Sequence, residues 1–253
     1  TINQQPDEIL ADIYKKQPDV IAFSTYIWNR RMVGELIAEL PKVLPQAEIW
    51  AGGPEVSYDA EAFLMECPKV RGVMRGEGET VFPALASLYI EGTGSFQTLA
   101  GITYRNDHGE LQINEDGAPV NMDELPFVYE HLEDFSHKII YYESSRGCPF
   151  RCAYCLSSLE KKLRFRSLDL VKKELGFFLQ AKVPQVKFLD RTFNCNPGRT
   201  VDLWQWILDH DNGITNFHFE IAADLITEEE LAIMERMRPG LIQLEIGVQS
   251  TNM

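Results

Sequence analysis

Residues 143–158 read ESSRGCPFRCAYCLSS, with cysteines at 148, 152 and 155. KIIYYESSRG, at 138–147, reads as a strand that runs into the cysteine loop. The cysteines are therefore spaced C-x3-C-x2-C on a loop straight after a strand. Thiolates are soft ligands that suit iron-sulfur clusters. Three ligands on a four-iron cube leave one iron open to chelate the amino and carboxylate groups of a bound molecule. Zinc usually asks for a fourth Cys or His nearby. His137 lies eleven residues upstream of Cys148 and His210 far downstream, with no ligand-like spacing. Zinc, and three merely structural cysteines, stay as the alternatives. The chain has five cysteines and no visible signal peptide, so a disulfide framework is not expected. The clustering points to a metal centre in a reducing, cytoplasmic setting.

After the cysteine loop, strand and helix alternate. LDLVKKELGFFLQAK (168–182) has helical spacing and QVKFLDRTFN (185–194) reads as a strand with its loop. RTVDLWQWILDHD (199–211) is a helix and NFHFEIAAD (216–224) a strand. TEEELAIMERMR (227–238) is a helix with Thr227 as its cap, and LIQLEIGVQS (241–250) a fourth strand. Four strands and three helices make only part of a (β/α) barrel. KKLRFR, at 161–166, is the one candidate basic patch, and its plainer reading is a solvated loop.

The same alternation precedes the loop. Helical patterns at 6–17, 30–45, 61–67 and 80–92 alternate with strand-like runs at 19–27, 47–52 and 70–75. This implies a parallel, doubly wound α/β sheet. GITYRNDHGELQIN (101–114) reads as a hairpin turning at NDHG, and 115–132 is rich in proline and acid. The expected organisation is a Rossmann-like domain over 1–97, a hairpin and linker over 98–137, and a half-barrel over 138–253. The pattern opens in a helix and stops after a strand, so further elements are expected beyond both ends.

Of 253 residues, 45% are hydrophobic and 25% charged, an ordinary globular balance. The net charge of -14 disfavours nucleic acid as a partner. No apolar run is long enough to span a membrane.

CPFRCAYC, at 148–155, resembles the signature of the radical SAM superfamily, with Tyr154 in the aromatic position. The resemblance implies that Cys148, Cys152 and Cys155 bind a 4Fe-4S cluster and that its open iron binds S-adenosylmethionine. One electron would then cleave the sulfonium to methionine and a 5'-deoxyadenosyl radical. Glu220, near the end of the third barrel strand, resembles the family's acidic contact to this ligand. Its alternative reading is a residue on the outer face. EIGVQS resembles the family's fourth-strand end, which implies contacts from Gly247, Gln249 and Ser250. Asp190 and Arg191 are expected to face the same cleft, or else to pair with each other. Cys195 reads as a buried apolar thiol, with a reactive thiol as the alternative, and Cys67, before Pro68 at a helix end, as structural.

Three strand-end loops of the first domain, STYIWNR, AGGPEVSYD and RGEGE, together resemble the cobalamin-binding domain of one radical SAM subgroup. The corresponding residues are Ser24, Thr25 and Tyr26, then Gly52, Gly53 and Pro54, then Gly76, Glu77 and Gly78. The subgroup's D-x-H-x-x-G motif is absent, so no His from these loops would ligate cobalt. The resemblance implies a cobalamin-dependent radical SAM enzyme that transfers methyl to an unactivated carbon of a small-molecule substrate. A flavodoxin or ferredoxin would supply electrons. A methylthiotransferase-like enzyme and a non-catalytic cobalamin or iron-sulfur module are the alternatives. No residue is singled out as catalytic.

Overall fold

The apolar runs of the amino-terminal half become β1 (Val20–Ser24), β2 (Glu48–Gly52) and β3 (Val70–Met74), paired in parallel in that order. They belong to a computed structural model that describes residues 4–135, 138–159 and 162–248. The chain forms two compact units, Thr1–Val120 and Asn121–Met253.

In the first unit, strand alternation sorts side chains between two cores. Ile21, Ile49, Ala51 and Val73 face α1 (Pro6–Lys16), α2 (Arg30–Val43) and α4 (Ala60–Glu66), where they bury with Leu36, Leu40 and Phe63. Trp50 points the other way. It packs with Met74, Val81, Leu85, Ile102 and Tyr104 beneath α5 (Gly78–Glu91), and its Nε1 donates to Tyr89 Oη at 2.7 Å. Pro54 also starts a short helical turn, α3 (Pro54–Ser57), that periodicity did not announce.

The hairpin forms as β4 (Ile102–Arg105) and β5 (Leu111–Ile113). Its turn is held by Asn106 Oδ1, which accepts from the amides of His108 and Glu110, each at 2.9 Å. The hairpin does not stand apart from the sheet. β4 pairs antiparallel with β3, giving one mixed sheet ordered β1-β2-β3-β4-β5. That pairing buries Ile102 and Tyr104 in the Trp50 core.

In the second unit, β6 (Ile140–Tyr142), β9 (Gln185–Phe188), β10 (Asn216–Ile221) and β11 (Ile242–Ile246) form a parallel sheet in chain order. Helices α6 (Leu168–Gln180), α7 (Pro197–Asp209) and α8 (Glu228–Met234) follow the first three of these strands, and their apolar residues pack on one face of the sheet. Thr227 caps α8 in a reciprocal box with Glu230. That face is aromatic: Phe219 lies 4.6 Å from Phe188 and 4.3 Å from Phe193, between ring centroids. Such ring pairs add about 0.5–1.5 kcal/mol each beyond their buried area.

The expected single strand over 138–147 breaks in two. β7 (Ser145–Arg146) leaves the sheet and pairs antiparallel with β8 (Arg164–Phe165). The KKLRFR stretch is also not simply a solvated loop. Arg164 and Phe165 form β8, and Arg166 is only 6% exposed. Its guanidinium makes two 2.9 Å contacts to Glu174. Lys161 lies outside the described residues. Among the described residues, no helix is long and apolar enough to cross a membrane.

Candidate active site

The cysteine loop is closed at its base. Ser145 pairs with Phe165 and Arg146 with Arg164, so residues 147–163 are spanned by the β7/β8 ladder. Gly147 makes the closure possible. Its φ is +99°, and a Cβ there would lie 2.6 Å from the Lys162 carbonyl oxygen. Within the loop, the Cys155 amide donates to the Cys152 carbonyl at 3.0 Å, a tight turn around Tyr154. Cys152 and Tyr154 are exposed, while Cys148 and Cys155 are partly covered. Cys148 Sγ lies 3.5 Å from the hydroxyl of Thr192.

Three thiols carried on one loop that the ladder closes are the soft donor set an iron-sulfur cluster takes. Among the described residues, no three His, Cys, Asp or Glu side chains converge on a single-ion site.

Asp190, two residues past the end of β9, was expected to face the cleft or to pair with Arg191. It does neither. Its carboxylate is 1% exposed and accepts from the Ser144 amide at 2.9 Å, the Ser144 hydroxyl at 2.6 Å and the Ser145 hydroxyl at 2.5 Å. Arg191 is exposed. Local sequence could not show this, because the serines lie 45 and 46 residues away. Burial pushes the Asp190 carboxyl up to about 6, against the opposing pull of those hydrogen bonds.

The sign of the resulting pH effect follows from linkage. The folded carboxyl holds its proton more tightly than the unfolded one, so its contribution is most favourable below pH 4 and is lost as pH rises through 6. A shift of this size corresponds to about 3 kcal/mol. The stability of the wild type relative to Asp190→Asn should therefore fall between pH 4 and 7 in urea titrations. A difference that stays flat across that range would remove the assignment.

Glu220 sits on the face of the parallel sheet opposite the aromatic core. Phe217, Phe219 and Ile221 are buried on the helix side, and Asn216, His218 and Glu220 alternate with them. This face is polar. Glu245 Oε2 lies 3.1 Å from Lys187 Nζ and 3.1 Å from His218 Nε2, and Lys187 holds the Glu245 carboxyl below the usual range. Gly247 is exposed just past β11. Gln249 and Ser250 lie outside the described residues. Burial pushes the Cys195 and Cys67 thiols up, as in inert thiols.

In the first unit, the ends of β1, β2 and β3 line up side by side, with Ser24 opposite Gly52 and Gly52 opposite Met74. Their loops interlock. The Thr25 amide donates to the Gly52 carbonyl at 2.7 Å, and the Glu55 amide donates to the Thr25 carbonyl at 3.2 Å. Gly53 has a φ of +94°, and a Cβ there would lie 2.5 Å from the Thr25 carbonyl oxygen. Tyr26 stacks on Trp28 at 4.4 Å. Ile27 and Trp28 are 78% and 67% exposed. Glu77 accepts from the Val120 amide at 2.6 Å, which fixes the third loop.

Two features fit a bound group at this edge. The Thr25 hydroxyl is buried without a hydrogen-bond partner among the described residues. Above Gly76 and Gly78 a Cβ would meet nothing within 4 Å, so a ligand can approach the backbone. No His lies on these three loops.

Comparison with known proteins agrees with both halves. Residues 1–86 match the B12 binding domain model and residues 142–253 match the radical SAM superfamily model. Residues 1–86 thus form a B12 binding domain and residues 142–253 a radical SAM superfamily domain. An uncharacterized methyltransferase of Pyrococcus horikoshii is 31% identical over 77% of this chain and 44% of its own length. The solved structure of OxsB, a cobalamin-dependent S-adenosylmethionine radical enzyme with aqua-cobalamin and S-adenosylmethionine bound, superposes with a TM-score of 0.78. It is 21% identical, over 98% of this chain and 38% of that one. The radical S-adenosylmethionine methyltransferase TsrM of Kitasatospora setae, with cobalamin and a 4Fe-4S cluster bound, gives a TM-score of 0.69. It is 15% identical over 95% of this chain and 50% of that one. The chain thus spans half or less of the length of each of these proteins.

Proposed function

We propose that this protein is a cobalamin-dependent radical SAM enzyme whose reaction is methyl transfer to an unactivated carbon of a small molecule. The observation that carries the reading is the cysteine loop itself, pinned by the β7/β8 ladder beside a parallel half-barrel. Cys148, Cys152 and Cys155 would hold the 4Fe-4S cluster, which supplies the electron that opens S-adenosylmethionine. Glu220 and Gly247, with Gln249 and Ser250, would orient that ligand, while Tyr154 would shield the exposed side of the loop. The corrin would lie against Ser24, Thr25, Tyr26, Gly52, Gly53, Pro54, Gly76, Glu77 and Gly78. Residues 1–97 would form the corrinoid domain and 138–253 the half-barrel, with 98–137 between them as a hairpin, which extends the first sheet, and a linker. A flavodoxin or ferredoxin in the cytoplasm fits as electron donor. Methyl transfer is favoured by the Pyrococcus relative and by TsrM, both named as methyltransferases.

The test is direct. Full-length protein reconstituted without oxygen should carry about four irons per chain and a brown absorption band. Cys152→Ala should lose both, and unchanged iron content would sink the cluster assignment. The same protein should keep a corrinoid absorbance through gel filtration. Loss of every corrinoid form tried would remove the cobalamin half of the proposal and leave the cluster half standing.

A further inference from the structure

The segment that follows β9 makes polar contacts at every second residue. Asp190 takes the amide and hydroxyl of Ser144 and the hydroxyl of Ser145. Thr192 places its hydroxyl 3.5 Å from Cys148 Sγ. Asn194, fully buried, exchanges two 2.9 Å bonds with the backbone of Ala222, donating to its carbonyl and accepting from its amide. Ala222 directly follows β10, the strand that carries Glu220. Below the segment, Phe188, Phe193 and Phe219 pack against one another and hold it down.

Ser144 is the point where the chain leaves the sheet, between β6 and β7. All its polar groups are engaged there. Asp190 takes its amide and hydroxyl, and its carbonyl accepts from the Arg166 amide at 2.9 Å and the Arg199 guanidinium at 3.4 Å. One end of the segment therefore fixes where the cysteine loop departs. The other end fixes where β10 stops. No residue between need touch a ligand for the segment to set the spacing of the two.

We propose that Asp190 and Asn194 are positioning residues that hold the cysteine loop and the Glu220 strand end at one fixed separation, and so set the span available to S-adenosylmethionine. This rests on the cluster assignment above. Asp190 acts on the loop, and Asn194 acts on the distance from the loop to the end of β10. The two positions therefore have different expected signatures.

The experiment uses reconstituted full-length protein with three measurements: iron loss to a chelator, S-adenosylmethionine affinity from its perturbation of the reduced cluster's EPR signal, and thermal midpoint. Asp190→Asn should speed iron loss by about tenfold or more, the range seen when partners behind metal ligands are removed. Ser145→Ala, which removes one of the three bonds, should show a smaller change in the same direction. Asn194→Ala should keep wild-type iron content and weaken S-adenosylmethionine binding by about tenfold, with Asn194→Asp no better, since it loses the donor to Ala222. Thr227→Ala is the control. It uncaps α8 and lowers the midpoint, but should move neither iron loss nor affinity.

If Asn194→Ala binds S-adenosylmethionine like the wild type, the spacing role is overturned. It is equally overturned if Thr227→Ala reproduces the changes at matched midpoint. If the wild type binds no iron, it is the cluster assignment that has failed.

Discussion

Glu174→Ala is expected to lower the stability of the second unit by about 3–5 kcal/mol, the cost of leaving a buried charge without its partner. Glu174 accepts from both terminal nitrogens of Arg166 at 2.9 Å and from the Tyr142 hydroxyl at 2.5 Å, and all three side chains are buried. The Arg166 guanidinium also lies 5.8 Å from the centre of the Tyr142 ring. Removing the carboxylate strands a cation and a hydroxyl together, and the melting point should drop by roughly 10 °C or more. Replacing the whole set, with Arg166→Met, Glu174→Leu and Tyr142→Phe, should recover most of that loss. Apolar side chains of similar volume carry no desolvation cost. Thermal unfolding of both proteins decides the matter. A triple variant as unstable as the single one would show that packing, not an unpaired charge, governs this site.

Gly147→Ala is expected to have the largest effect on the cysteine loop for the smallest change in mass. The new Cβ would need φ near +99° and would sit 2.6 Å from a backbone oxygen at Lys162 that cannot swing aside. The conformation alone costs about 1–3 kcal/mol. The cheapest relief is to part the β7/β8 ladder, which spreads the base of the loop that carries all three cysteines. Reconstituted iron should then fall well below the wild-type value, while far-UV circular dichroism stays near native. Normal iron content in Gly147→Ala would show that the ladder does not govern cluster binding.

Much of this fold could be read along the chain because its signals are short-range. Apolar period and turn residues mark the strands and helices, and the cysteine spacing marks the loop within eight residues. What escaped depends on partners that are distant in sequence. KKLRFR looks solvated until Glu174 closes on Arg166 from the next helix and the ring of Tyr142 covers it. Asp190 looks like a cleft residue until two serines 45 and 46 positions earlier take its oxygens. The hairpin looks like part of a linker because the burial of Ile102 and Tyr104 against Trp50 is a tertiary event. Glu220 falls between these cases: its spot near a strand end follows from the sequence, but the polar company of Lys187, His218 and Glu245 needs the sheet register.

The loop after β1 holds Ile27 and Trp28 out in water, and it does so firmly. Asn29 accepts from the Tyr26 amide at 2.7 Å and donates to the Ser24 carbonyl at 2.8 Å, while Tyr26 stacks on Trp28. The conformational entropy of this segment is therefore surrendered when the chain folds, not when something docks. A flat, apolar molecule meeting the loop finds a finished surface and spends little of its binding energy on ordering it. The cost of holding Ile27 and Trp28 in water is likewise met once, at folding, and is returned when an apolar surface covers them.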